Sequence, residues 1–452
     1  MAEQLNRIAF TTDRTLEFFT ESELRTQLGY GRELWPVVLV KELIDNGLDA
    51  GEATAVAPVI TVTLEADAIT VADNGPGISA NIIEKSLDYY VRISDKKGYI
   101  SPTRGQLGNA LKCVWAAPFV VTGEGLVEVT ACGLHHRIQV GIDRIAQRPQ
   151  IDHTTEPFVQ NGTSITVRWA AVASYETGWR SSELYKDKTV ADVLPQIVAD
   201  YAALNPHATF HLKVPDRELE FAASDPGWSK WRTNQPTSSH WYTREHLRDL
   251  IAAYVQDERD GGRARTVREF VAEFDGLRRS RHQAEVTDEA GIAGYLHDLV
   301  GGDGDLDLTA VQKLLTAMRA HSRPVKPDRL GVIGKDHMTK VLAERGAAPE
   351  SIKYKKDTGI GNDGLPFVVE GAFGVKETRG LDRIIGLNFS PVFKVPAGYI
   401  ADALSSCRVQ PNDPVVLAIH LACPRFPFVD HGKGALADDN IYEAVDQEED
   451  GE

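Results

Sequence analysis

Little in this chain answers to the commonest ways of building a small extracellular, metal-bound or membrane protein. Its four cysteines, Cys113, Cys132, Cys407 and Cys423, are scattered over 452 residues with no paired metal-ligand spacing and no disulfide-rich pattern. That predicts buried thiols in a reducing compartment. Nowhere do about 18 apolar residues run uninterrupted, so no membrane-crossing helix is expected. The start, Met1-Ala2-Glu3-Gln4-Leu5-Asn6, lacks the charged-then-apolar layout of a secretory leader. The expectation is a cytoplasmic protein. Positive charge is also short: 49 Lys and Arg against 65 Asp and Glu leave a net charge of −16, which argues against broad, nonspecific affinity for nucleic acid. A local basic site is still allowed, because screening lets the nearby charges decide.

The chain is long enough for about three domains, and 42% hydrophobic content supplies several cores. The most informative stretch is Val37 to Ala50, which reads as one helix. Glu42 and Asn46 are four residues apart and Asp49 three further on, so all three share a face. Val40, Ile44 and Leu48 fall in step opposite and can pack on a sheet. Such a helix is suited to holding a water and a hydrated magnesium ion; taken alone, it reads more readily as an ordinary surface helix with a solvated polar face.

After the strand-like Ala68 to Ala72 comes Asp73-Asn74-Gly75-Pro76-Gly77-Ile78. An aspartate leaving a strand into a Gly-Pro-Gly bend can aim its carboxylate into a cleft and accept from an exocyclic amine such as that of adenine. The plain alternative is a turn. A third stretch, Ser101 to Lys112, carries glycines into the apolar Val114-Trp115-Ala116-Ala117. A glycine-bearing loop that opens a helix is a phosphate cradle, because amides and helix dipole converge there. It lacks the Gly-Lys-Ser/Thr ending of a Walker loop and the Rossmann glycine spacing. The fourth, Asn161-Gly162-Thr163-Ser164-Ile165-Thr166-Val167, starts a strand at Gly-Thr, as many edge strands do.

In this order the four stretches resemble the ATP-binding signature of the GHKL superfamily of gyrases, heat-shock chaperones, histidine kinases and MutL. The resemblance implies a Bergerat-type α/β sandwich that binds ATP and Mg2+. It makes Glu42 the general base, Asn46 the direct magnesium ligand, and Asp73 the adenine reader backed by Thr163, with Gly77 where the nucleotide passes close to the backbone. Gly105, Gln106, Leu107, Gly108, Asn109 and Ala110 resemble the phosphate-binding end of an ATP lid that begins near Ser94. That lid usually ends Gly-x-Gly, and Ala110 is less free to adopt positive φ than the glycine it replaces.

The likeness continues and is closest to the B subunit of type IIB topoisomerases. Gln235 to His240, a helix to Tyr254, and Arg265 to Val271 look like a helix-two-turns-helix insert. Lys326 to Gly334 is similar to the entry into a ribosomal-S5-like α/β transducer, with Leu365–Gly374 and Asn388–Phe393 resembling two of its strands. Phe426 to Asp438 resembles the loop that presents a switch lysine, here Lys433, to the γ-phosphate. The expected division is an ATPase domain over 1–228, with a strap from Asp13 to Thr26 that the family exchanges between protomers; an insert over 229–306; a transducer over 307–438, opened by a connecting helix from Asp307 to about Pro327; and an acidic tail over 439–452. Where the family carries a long helix that docks a DNA-cleaving A subunit, 19 residues follow Lys433 and allow at most a short helix, so that link is expected to be absent or moved to another chain.

Two functions follow from the resemblance. One is an ATP-dependent homodimer gate that clamps double-stranded DNA and works with a separately encoded cleavage subunit. The other is a stand-alone ATPase switch in a repair or defence complex. A histidine kinase is not expected, because no phosphoacceptor-histidine helix precedes the ATPase stretch. The candidate DNA contact is Arg263, Arg265, Arg268, Arg278, Arg279, Arg281 and His282, although Asp257, Glu258, Asp260, Glu269 and Glu273 are interspersed. His135 and His136 have no acidic or thiol partner at ligand spacing and read as structural.

Overall fold

The computed structural model describes residues 14–89, 98–104, 110–143, 145–146, 148–177, 187–302, 304–393, 409–410 and 412–426. A 3-10 turn over Arg14–Phe19 leads into α1 (Glu21–Leu28), capped by the Thr20 side chain and ended by Gly29 in the left-handed region. Then come α2 (Trp35–Ala53), β1 (Val59–Leu64), β2 (Ala68–Asp73), α3 (Ala80–Ser86), α4 (Ala110–Thr122), β3 (Gly125–Ala131), β4 (Leu134–Asp143), β5 (Arg148–Pro157), β6 (Thr163–Arg168), α5 (Val190–Leu204), β7 (Thr209–Val214) and β8 (Arg217–Phe221).

These eight strands make one sheet in the order β5-β4-β3-β6-β2-β1-β7-β8, antiparallel except where β1 meets β7. Alternate residues point inward, such as Ile60, Val62 and Leu64 on β1 and Val127 and Val129 on β3. Helix α2 packs on β1 and β2, α4 on β3 and β4, and α5 on β7. Val40, Ile44 and Leu48 of α2 are fully buried, and each such side chain contributes about 1.5–3 kcal/mol.

The middle of the chain is helical: α6 (Arg244–Arg259), α7 (Val267–Val271), α8 (Ser280–Ala290) and α9 (Leu308–Ala320). The remainder is α10 (Lys335–Glu344) with β9 (Lys353–Ile360), β10 (Pro366–Val375), β11 (Asp382–Leu387), β12 (Ser390–Pro391) and β13 (Val415–Ala422), a sheet ordered β12-β11-β13-β10-β9. One hydrophobic core lies under the first sheet, and a second is shared by the middle helices and the second sheet. Inside the latter, the fully buried Glu370 of β10 accepts from the Ile333 and Gly334 amides at 2.9 and 2.7 Å and from the Tyr354 hydroxyl at 2.8 Å, with His420 Nδ1 at 3.2 Å. These bonds anchor the stretch before α10 to the sheet.

Several expectations are corrected. Cys132 is exposed rather than buried, whereas Cys113 is buried. β6 is an interior strand between β3 and β2, not an edge. Only Ser390–Pro391 of the Asn388–Phe393 stretch is strand; Asn388 and Phe389 turn with φ of 47° and 67°. Within the stretch expected to be a connecting helix, Asp307 to about Pro327, α9 is helical over Leu308–Ala320 and packs on α8 and α6. His135 and His136 lie within β4, and His135 does have an acidic neighbour, Glu156 at 3.1 Å, while His136 stacks on His153. The 3-10 turn over Arg14–Phe19, inside the expected strap, lies against α4 and β5.

Candidate active site

Two edges of α2 carry polar side chains. Glu42 and Asn46, four residues apart, are half-buried on one edge. Next to them Gly47 brings the helix close to the sheet: a Cβ there would lie 2.9 Å from Ile60 Cδ1 and 3.0 Å from Asp73 Cβ. Asp73, the last residue of β2, therefore sits against α2. Its carboxylate accepts from the Gly75 amide at 2.8 Å and from the backbone and side chain of Thr163, its partner across the ladder. Burial raises its pKa above the ordinary aspartate value, with those bonds pulling the other way. Gly162, at φ 78°, is required here, because a Cβ would fall 1.8 Å from the Asp73 carbonyl oxygen. Asn74 ties the bend to the start of β1, accepting from Val59 N at 2.8 Å and donating to Ala57 O at 3.0 Å. Gly77 follows with the Cys132 thiol beside it.

The neighbouring flank of α2 presents Asp45, Asp49 and Glu52, all buried. Lys41 Nζ reaches Asp45 at 2.9 Å, and Tyr201 and Ser390 donate to the same carboxylate at 2.8 and 2.9 Å. Arg104 Nη1 lies 2.9 Å from both Asp49 and Glu52, and its Nη2 donates to Asn205. Glu52 also meets Lys230 at 2.9 Å and His207 Nε2 at 3.0 Å. Burial works against the charge of Glu52, but Arg104, Lys230 and the His207 bond outweigh it and hold the carboxyl below its usual range. Burial likewise opposes the Lys41 charge, and Asp45 and Glu42 overcome it, so that lysine stays protonated. Three carboxylates thus face three cations. Asn205 donates to Phe389 O at 2.9 Å, which together with Ser390 joins the second sheet to this flank.

Glu42, Asn46, Asp73, Gly77 and Thr163 are therefore gathered around α2 and the end of β2. Asp49, grouped with Glu42 and Asn46 by spacing, turns instead to Arg104. Gly105, Gln106, Leu107, Gly108, Asn109 and Lys433 lie outside the described residues. The ends of the glycine stretch are described: Arg104 is pinned to α2, and Ala110 is the first residue of α4, which packs on α2. Burial and then the Glu42 charge raise the pKa of Cys113 on α4, which puts that carboxylate near α4. Sequence spacing missed Arg104, Lys230 and Ser390 as supports of α2. Three of the six arginines suggested for DNA are paired with carboxylates: Arg263 at 2.8 Å from Glu269, Arg265 at 2.7 Å from Glu273, and Arg281 at 2.8 Å from Glu285.

Residues 31–171 match the family described as "Histidine kinase-, DNA gyrase B-, and HSP90-like ATPase", and this stretch is a GHKL ATPase domain. The chain as a whole is similar to the B subunit of type 2 DNA topoisomerase 6. It is 24% identical to that protein from Archaeoglobus fulgidus over 95% of this chain and 71% of the relative. The Natronomonas pharaonis protein of the same name is 27% identical over 44% of this chain and 24% of its own length. A solved structure of the B subunit of DNA gyrase from Myxococcus xanthus aligns with 90% of this chain and 86% of its own at 11% identity and a TM-score of 0.37, too distant to bear on the site. Among the described residues no helix is long and apolar enough to cross a membrane.

Proposed function

We propose that the chain is a magnesium-dependent ATPase that works as the ATP-operated gate of a topoisomerase-VI-like B subunit. The observation that carries this reading is the convergence of Glu42 and Asn46 of α2 with the paired Asp73 and Thr163 at one place in an ATPase domain. Asp73 accepts from the exocyclic amine of adenine, and Thr163 holds that carboxylate in position. Glu42 orients a water and takes its proton as the water attacks the γ-phosphorus, and ADP leaves.

The residues present fit a magnesium ion carried on the nucleotide. Asp49 is taken by Arg104, and no cluster of three or more His, Cys, Asp or Glu suited to a metal occurs among the described residues. Magnesium commonly keeps several waters and is held by few protein groups plus phosphate oxygens, which leaves the Asn46 amide oxygen as the donor from α2. The bound ion neutralises phosphate charge. On this reading residues 105–110 cradle the phosphates and Lys433 meets the γ-phosphate. Two copies of the chain associate when ATP is held and separate after hydrolysis, clamping double-stranded DNA for a separately encoded cleavage subunit.

Light scattering with and without a non-hydrolysable ATP analogue and magnesium tests the gate. A shift from monomer to dimer is expected; nucleotide binding with no shift would overturn the gate and leave an ATPase of another kind. A second reading, a stand-alone ATPase switch without topoisomerase activity, is favoured by the acid-paired arginines of the helical middle. Duplex DNA that stimulates turnover in a salt-dependent way would decide against it.

A further inference from the structure

The ATPase site leaves the helical middle of the chain without a role, yet one short segment of the ATPase region belongs to its core. Ile100 is buried in the second hydrophobic core with residues of α6 and α7, not in the core beneath the first sheet. Both its backbone groups are taken from that side: its amide donates to the Tyr242 hydroxyl at 2.9 Å, and its carbonyl accepts from Thr237 Oγ1 at 2.7 Å. One residue earlier, the Tyr99 hydroxyl donates to Glu273 Oε2 at 2.6 Å and also meets the Tyr254 hydroxyl. Tyr254 of α6 donates to the same carboxylate oxygen at 2.7 Å, and Arg265 reaches its other oxygen at 2.7 Å while lying 4.7 Å from the centre of the Tyr254 ring. Gly98, at φ 83°, passes close to α6, where a Cβ would lie 3.0 Å from Leu250 Cδ1.

Four residues on, the other end of this segment is tied elsewhere. Ser101, Thr103 and Arg104 are buried, and Arg104 holds Asp49 and Glu52 on the flank of α2 and Asn205 after α5. Residues 99–104 thus form a strut, buried from Ile100 to Arg104, with one end built into the helical middle and the other bonded to the helix that carries Glu42 and Asn46. Burial, followed by the bonds to Glu273 and Tyr254, keeps the Tyr99 phenol protonated and so a donor through the neutral range.

We propose that the helical middle is a positioning element for ATP hydrolysis: Tyr99 and Glu273 fix one end of the 99–104 strut, and through Arg104 the strut sets the position of α2 against the nucleotide. This rests on the ATPase reading of Glu42. Whatever loads the Arg265–Glu273 face of the helical middle then acts on turnover without touching the nucleotide. Tyr99, Glu273 and Arg104 are positioning residues; none is placed on the substrate.

The test uses the full chain with Tyr99→Phe, Glu273→Gln and the double variant. Each single change should lower turnover at saturating ATP by about three- to tenfold while the KM for ATP and the melting temperature stay near wild type. The double variant should be little worse than the weaker single, because both remove one link. Hydrogen exchange in α2, remote from either change, should quicken in all three. Unchanged turnover together with unchanged α2 exchange would overturn the proposal, as would losses confined to KM or to melting temperature. Glu42→Ala serves as reference. If wild type shows no Glu42-dependent turnover, the ATPase reading fails and α2 exchange alone decides the strut.

Discussion

Asp45, Asp49 and Glu52 on the flank of α2 are buried among cations, whereas Glu42 and Asn46 on the neighbouring edge keep part of their surface open. The same helix is therefore built on two principles. Along the flank, the carboxylates are matched by Lys41, Arg104 and Lys230, and hydroxyls from Tyr201 and Ser390 complete the coordination of Asp45. A buried network of this kind adds little net stability over a well-packed apolar one, but losing one member strands the others, so it specifies a single position for the helix. On the open edge, polar groups can meet a ligand because the flank and the apolar face already hold the helix. The rigid side and the chemical side are separated by a few residues of one sequence.

Breaking the flank should cost most. Arg104→Ala leaves Asp49 and Glu52 buried without their shared cation and should destabilise the chain by about 3–5 kcal/mol in denaturant unfolding. A loss below about 1 kcal/mol, the scale of an exposed pair, would erase the contrast. The open edge should behave in the opposite way: Glu42→Ala should keep the folded stability and nucleotide affinity and lower steady-state ATP turnover by about 10² or more. A turnover close to wild type would remove Glu42 as the base. Asp73→Asn should weaken nucleotide binding by about tenfold in calorimetry, the scale of one charged hydrogen bond. Equal affinity would take Asp73 out of the adenine pocket.

Acid should expose the flank in a graded way. Burial lowers the pKa of His207 and of His420 below the free value of 6.5. The unfolded chain therefore takes up protons first, and the stability these neutral imidazoles contribute is complete above that value and lost as pH falls below it, by up to about 1.4 kcal/mol per pH unit for each. Glu52 and Glu370, held below the usual carboxylate range, extend the loss at lower pH. Melting curves from pH 8 to 5 should show this fall, and His207→Gln should reduce its slope; a flat profile would mean the histidines are not held neutral. The smallest effect belongs to Ser390→Ala, which removes one of several donors to Asp45 and should cost about 1 kcal/mol.

Most of what was legible in the sequence is local. The apolar spacing of Val40, Ile44 and Leu48, the strand-like Ala68 to Ala72 and the Asp-Asn-Gly bend after it are set within a few residues, and the folded chain has them where the pattern predicts. The flank was not legible, because its meaning lies in distant partners: Arg104 is 55 residues from Asp49, and Ser390 is 345 from Asp45. Helical spacing alone groups Asp49 with Glu42 and Asn46, and only the guanidinium turns it away. The family resemblance implies strand at Asn388 and Phe389, but Phe389 is wholly buried against Trp228 and His420, and the Asn388 side chain bonds the Cys423 backbone on both sides. Those contacts hold two non-glycine residues at positive φ, a conformation that no local signal announces.

Cys132 offers a practical consequence. It is the exposed one of the three described cysteines, and its sulfur lies 3.7 Å from the Pro76 carbonyl oxygen and beside Gly77, at the bend that follows Asp73. The protein therefore brings its own reporter: the alkylation rate of the Cys132 peptide, followed by mass spectrometry, measures how accessible the bend after Asp73 is, read without a fluorophore or any change to the sequence.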